Sequence, residues 1–221
     1  MALIKLGFFG EVKWDFLIYF ARFYRSLGLK VGILDASLTN NLKYFLPEDL
    51  NIEIIDYNEM THFLSYFDGY DVTDFNILLV NIGFDLKGLE RMIECDYHFL
   101  MTSFNRKAIE KSQVMLGELS DLKEDFIYEK IYVDYISSQI KKKYIQFILS
   151  KNNTLEVKNT YCLEAHENIL KGRLTLQHQQ EKKTIKLPKD YYSLYEEILL
   201  ETTEFNKKTI KKAYKDSRKG R

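Results

Sequence analysis

The opening 37 residues constrain this chain more than any later part does. Leu3–Leu6 reads as a short apolar strand, and a loop with Gly7, Gly10 and Lys13 follows it. The run from Trp14 to Leu27 is apolar on nearly every side, with Asp15, Arg22, Arg25 and Ser26 as its polar stripe. A helix of that kind is covered on most of its surface. Gly28 is a helix stop, Val31–Leu34 a buried strand, and Asp35-Ala36-Ser37 an acidic turn. Strand, glycine-marked loop, helix and strand make a βαβ unit, and in α/β proteins the first turn of such a unit is where phosphate binds.

The rest of the chain continues the alternation. Strands are expected at Ile52–Ile55, Asn76–Ile82, Tyr97–Met101, Phe126–Tyr132 and Leu155–Leu163. Asn76–Ile82 is the most continuous apolar run, as a central parallel strand requires. Helices are expected at Glu59–Phe67, Leu86–Ile93, Arg106–Leu119, Ser138–Leu149 and Glu164–Lys171. One long helix is expected from Tyr191 to Tyr214, with Pro188 just before it. The fold class is therefore α/β: a mostly parallel sheet of seven or eight strands with helices on both faces. No repeat, linker or shift in composition divides the chain, so residues 1–221 read as one domain ending in a basic helical tail at about 205–221.

Charge narrows the function classes. Lys plus Arg and Asp plus Glu both number 32, which argues against a nucleic-acid binder driven by overall charge but leaves room for a local basic patch. Cys95 and Cys162 have no metal or redox spacing and read as core thiols of a reduced, cytoplasmic protein. No secretory leader and no apolar run long enough to span a membrane is evident. His62, His98, His166 and His178 fall in no metal-ligand or nucleophile pattern, and no G-x-S-x-G elbow occurs. His98, inside a strand, reads as a core or hydrogen-bonded histidine.

Gly7, Gly10 and Lys13 form a sparse G-x-x-G-x-x-K pattern, weak by itself. In context the chain resembles the ParA/MinD family of deviant Walker-A ATPases, whose loop reads K-G-G-V-G-K-[ST]-[ST]. With the family's loop lysine on Lys13, its following strand-end Asp falls on Asp35, 22 residues on, a separation typical of the family. Ile77–Asn81 corresponds to a later strand that should end in an acid, and Glu94–Met101 resembles the family's A-A-D strand. The resemblance implies a P-loop NTPase fold and a nucleotide site at Gly7, Gly10, Lys13 and Asp35.

The departures from that pattern fall on the working positions. Phe8 stands at the signature lysine, Val12 at the glycine before the loop lysine, and Trp14 at the magnesium-binding Ser/Thr. Ser37 stands at the second Asp of the D-x-D turn and Asn81 at the metal-shell acid. Asp134 lies near where an Asn commonly reads adenine. Phosphoryl transfer depends on positioning and charge stabilisation, so these losses together predict no useful ATP hydrolysis. No cofactor is expected; ATP with magnesium held at Lys13 and Gly10 stays as the alternative. Lys13 and Asp35 then read as leftovers, solvated or paired with each other, and Trp14 as a plug in the phosphate pocket.

The function this resemblance implies is a positioning or assembly scaffold for a pilus, secretion, partition or division apparatus, as in the TadZ proteins of pilus systems. Such a protein would be a homodimer with protein partners. The alternatives are an ATP-binding dimerisation switch with slow hydrolysis, and a nucleic-acid accessory protein. In the tail, Lys207, Lys208, Lys211, Lys212, Lys215, Arg218, Lys219 and Arg221 read as a solvated helix end. Contact with a membrane surface, placing the protein at the membrane periphery, or with nucleic acid is the other reading of that tail.

Overall fold

The computed structural model describes residues 2–46, 53–57, 59–65, 70–151, 153–179 and 183–219. Its centre is one sheet of eight strands: β1 (Ile4–Gly10), β2 (Val31–Asp35), β3 (Ile54–Tyr57), β4 (Met60–Phe63), β5 (Ile77–Gly83), β6 (Tyr97–Thr102), β7 (Ile127–Tyr135) and β8 (Glu156–Glu164). The strand order is β3-β4-β2-β5-β1-β6-β7-β8. Every pairing is parallel except β3 with β4. The α/β class and the mostly parallel sheet are as the sequence predicts, with eight strands among the described residues.

Among the described residues seven α-helices cover the sheet: α1 (Trp14–Ser26), α2 (Leu89–Ile93), α3 (Arg106–Leu122), α4 (Lys142–Leu149), α5 (Glu167–His178), α6 (Lys189–Thr202) and α7 (Lys207–Ser217). Strand side chains alternate between two cores, as the period of two demands. Leu6, Phe8, Ile33, Leu79 and Phe99 face a core closed by α1, α5, α6 and α7. Phe9, Leu34, Val80 and Leu100 face a second core closed by α2, α3 and α4. Helix α1 is buried from Trp14 to Tyr24, which explains its apolar circumference. It ends at Gly28, whose φ of 82° suits a residue without Cβ and whose N–H donates to the Arg25 carbonyl at 2.8 Å.

The helix expected over Glu164–Lys171 is α5, which starts at Glu167 and runs on to His178, and the one expected over Ser138–Leu149 starts at Lys142. Two expected elements differ in kind or number. The helix expected over Glu59–Phe67 is strand β4; Tyr57 pairs with Met60 and Glu59 takes a φ of 59° in the tight reversal from β3. Met60, His62 and Phe63 are buried, and an edge hairpin buries them with fewer residues than a helix would. Phe67 and Ile52, ends of two expected elements, lie outside the described residues.

The helix expected over Tyr191–Tyr214 is two helices, α6 and α7. The hydroxyls of Thr202 and Thr203 donate back to the carbonyls of Ile198 and Leu199 at 2.8 and 2.6 Å at the end of α6. Asn206 then caps α7, its side-chain oxygen accepting from the Thr209 N–H at 3.0 Å. The described part of the basic tail is thus a helix docked by its apolar side, with its cations solvated; Arg221 lies outside the described residues. Ile210 and Ala213 are buried, and the Tyr214 ring stacks on Phe23 of α1 at 5.1 Å. Lys207, Lys208, Lys211, Lys212, Lys215, Arg218 and Lys219 remain exposed on its outer side.

Candidate functional site

In an open parallel sheet, loops at the carboxyl ends of the strands form the natural site, at the point where the strand order reverses. Here β1 is followed by a connection leading to β2 on one side, while β5 leads on to β6 on the other, so the crevice opens above β1 and β5. The residues that should cradle a phosphate lie there.

The connection from β1 to α1 is three residues long, Glu11-Val12-Lys13. Phe8 and Phe9 stay in the strand. Phe8 is fully buried and its ring stacks on Phe99 at 5.0 Å; Phe9 is fully buried on the opposite face, edge-on to Phe126 and Tyr128. The strand pairs with β6 as far as Gly10, and the Glu11 N–H donates to the Met101 carbonyl at 2.7 Å. Gly10 has a φ of 90°, and a Cβ there would collide with the Met101 carbonyl oxygen. Gly7 lies within the strand under α2, where a Cβ would collide with the Met92 sulfur. Both glycines therefore have packing reasons to be glycine. Val12 has no positive φ, so the β-branched residue sits unstrained.

Lys13 and Asp35 do not pair. The Lys13 ammonium lies 2.7 Å from Glu11 Oε1 and 3.1 Å from Asp134 Oδ2. The chain of charges continues in both directions. Ser103 donates its N–H and hydroxyl to Glu11. Arg173 of α5 donates through both terminal nitrogens to Asp134 at 3.2 Å, and through Nε to Asp15 at 2.9 Å. Asp134 is placed for this by a shift in the β7–β8 register and a φ of 49°, which aspartate tolerates better than most residues. Asp15, in the first turn of α1, is 1% exposed.

The protonation of this chain follows from its contacts. Burial acts to raise the Glu11 carboxyl, but hydrogen bonds from Lys13 and Ser103 outweigh it and leave it below its ordinary range. Burial likewise acts to raise Asp134, and Arg173 with Lys13 brings it down. Burial raises Asp15, against the pull of Arg173. Three carboxylates thus surround two cations at the N-terminus of α1. The helix dipole there, which could serve an external anion, already faces the side chain of Asp15.

Asp35 is fully buried and works as a loop organiser. It accepts from the Ser37 N–H and hydroxyl, the Leu42 N–H and the Asn81 side-chain amide, at 2.6 to 3.2 Å. Burial raises its carboxyl in spite of these bonds. Asn81 turns its oxygen to the Gly83 N–H at 2.9 Å, so the amide that stands at an expected acid ties the ends of β2 and β5 together.

Beside this network lies a cavity of about 370 Å³ lined by Glu11, Trp14, Ser37, Asn81, Asp85 and Lys111 among others. Trp14, 5% exposed, forms a wall of it and packs into the α1 core. Lys111 is the one cation among its lining residues, against the carboxylates of Glu11 and Asp85. Among the described residues no group of three or more His, Cys, Asp or Glu is arranged to hold a metal ion, and no helix is long and apolar enough to cross a membrane.

Four of the residues that make this site were missed as site residues at the level of sequence. Glu11, two positions from Lys13, was the visible signal: a carboxylate inside an expected phosphate loop. Arg173 gives no such signal, since it meets Asp15 across 158 residues of chain. Asp15 and Ser103 acquire their roles only through those partners.

No family model and no curated protein matches the chain. Solved structures do match its fold. A plasmid partition protein of Borrelia burgdorferi B31 bound to AMPPNP superposes with a TM-score of 0.58 at 15% identity, covering 90% of this chain and all of its own. A ParA family ATPase of Chlorobium tepidum gives 0.56 at 12% identity, with 95% and 98% covered. The MinD cell division protein of Aquifex aeolicus gives 0.55 at 12% identity, with 92% and 99% covered. The fold is that of the ParA/MinD P-loop NTPases.

Proposed function

We propose that this chain is a non-hydrolysing protein of the ParA/MinD fold, a positioning or assembly scaffold that works through protein contacts as a homodimer. The observation that carries the reading is Lys13, held between Glu11 and Asp134 at the start of α1. The residues present do not fit a magnesium-bound triphosphate. A three-residue connection has too few N–H groups to wrap it, Trp14 offers no oxygen for a cation, and Lys13 would have to leave two carboxylates. An incoming triphosphate would also meet the carboxylates of Glu11 and Asp85, both of its own sign, in the wall of the cavity.

The same end of the sheet carries apolar side chains suited to a protein contact. Leu38, on the turn after β2, is 72% exposed at the rim of the cavity, and Leu86 is exposed just after β5. Exposed leucines beside a polar rim mark interaction surfaces more often than isolated ones do. The partition and cell division roles named for the structural neighbours support an assembly of that class, and no particular machine.

Light scattering with and without ATP and magnesium tests the scaffold reading. A dimer of unchanged mass in both conditions, broken by Leu38→Asp, supports it. A monomer that dimerises only with ATP contradicts it and favours a nucleotide switch.

A further inference from the structure

The surface patch that the proposed scaffold leaves unused lies on the other side of the molecule from α7. From Tyr135 to Leu155 the sequence has four lysines and no carboxylate, although the whole chain is neutral. Residues 136–144, the loop after β7 and the first turn of α4, are exposed without interruption. Ile136 is 69% exposed, Tyr144 58% and Phe147 65%, with Ile140 exposed between them. Ile145 and Leu149 on the opposite side of α4 are buried in the second core. The helix therefore has two apolar sides, and only one of them packs on the protein. Lys141 and Lys143, between Ile140 and Tyr144 in the sequence, are exposed. Lys142 lies over the Tyr135 ring at 4.7 Å, and Lys151 is exposed just beyond the end of the helix.

We propose that this segment, Ile136–Phe147, docks on an anionic lipid surface. Its chemistry is that of an interfacial helix: aromatic and branched side chains that reach the acyl boundary, with lysines beside them at the level of the headgroup phosphates. Lysine stems lie along apolar surface while the ammonium reaches outward, so both groups can be satisfied at once. A second copy of the chain is a poor occupant. A two-fold contact centred here would set Lys141 and Lys143 against their own copies, with no carboxylate in the segment to offset them. Helix α7 is the other basic surface, but its apolar side is already spent on α1. Membrane attachment through α4 is thus a different device from the basic C-terminal tail, and it leaves the carboxyl edge of the sheet free.

Co-sedimentation with vesicles tests this on the full chain. Vesicles of phosphatidylcholine alone are compared with vesicles containing phosphatidylglycerol, at low and high salt. The expected result is binding to the anionic vesicles only, weakened by salt. Tyr144→Ser with Phe147→Ser, and separately Lys141→Glu with Lys143→Glu, should each weaken it about tenfold or more. Both pairs are exposed, so thermal melting should be unchanged and loss of binding cannot be put down to unfolding. Lys211→Ala with Lys212→Ala in α7 should bind as the wild type does. The proposal is overturned if the wild type stays in the supernatant with anionic vesicles at low salt. It is equally overturned if the α4 variants bind normally, or if only the α7 variant loses binding. An acidic protein partner for the patch would show itself as the first of these results.

Discussion

Lys13 Nζ and Asp134 Oδ2 meet at 3.1 Å, tying the turn before α1 to the end of β7. Asp134 in turn holds Arg173, and Arg173 holds Asp15, which is almost wholly buried. Removing the guanidinium strands a buried carboxylate, which is costlier than never having had the pair. Arg173→Ala should therefore lower stability by about 3 kcal/mol in urea denaturation. Arg173→Ala combined with Asp15→Asn should recover part of that loss. A loss well below about 1 kcal/mol for the single variant would mean that the chain of charges is slack.

Gly10 has a packing reason to be glycine that needs no phosphate. Its φ of 90° and the closeness of the Met101 carbonyl leave no room for Cβ. Gly10→Ala should destabilise the protein by about 1–3 kcal/mol with no nucleotide present. Thermal melting measures it, and a neutral substitution would return the residue to a ligand role.

His62 is fully buried on β4, and burial is the main reason its pKa falls to about 4. An unfolded histidine titrates near 6.5. Between these values the unfolded chain binds the extra proton, so stability is full above about pH 6.5 and is lost as pH falls toward 4. The loss should be about 3 kcal/mol across that window. His62→Leu should flatten that part of the profile, measured as denaturation midpoint against pH; an unchanged slope contradicts the assignment.

Lys130 lies 1% exposed in the second core, its ammonium 5.5 Å from the centre of the Tyr132 ring. Burial lowers its pKa. The unfolded lysine holds its proton to about pH 10.4, so the penalty for burial is full below the folded pKa and fades as pH rises toward that value. Lys130→Met, close in volume, should raise stability by about 1–3 kcal/mol at neutral pH. The gain should shrink toward pH 10, and a variant that is less stable at neutral pH would show that the charge is held by a partner.

The opening βαβ unit was legible because its signals are local: an apolar helix, a glycine that must take positive φ, and a strand of buried length. Asn76–Ile82 was legible for the same reason, since only a central strand is apolar on both faces. The strand at Met60–Phe63 was not, because its partner β3 decides it and a short apolar run serves helix or strand alike. The break between α6 and α7 hangs on Thr202, Thr203 and Asn206, whose capping chemistry is a weaker signal than the long periodic run around it. At the site, the residue types at Phe8, Trp14 and Asn81 could be read directly. The new partners of Lys13 could not, because Asp134 comes 121 positions later in the chain and Arg173 later still.

Lys13, held by Glu11 and Asp134, is expected to serve its own protein and not a phosphate. Titration calorimetry of ATP with magnesium into the wild type and into Lys13→Ala should then give no binding heat for either protein; micromolar affinity in the wild type that disappears in Lys13→Ala would return Lys13 to a phosphate site.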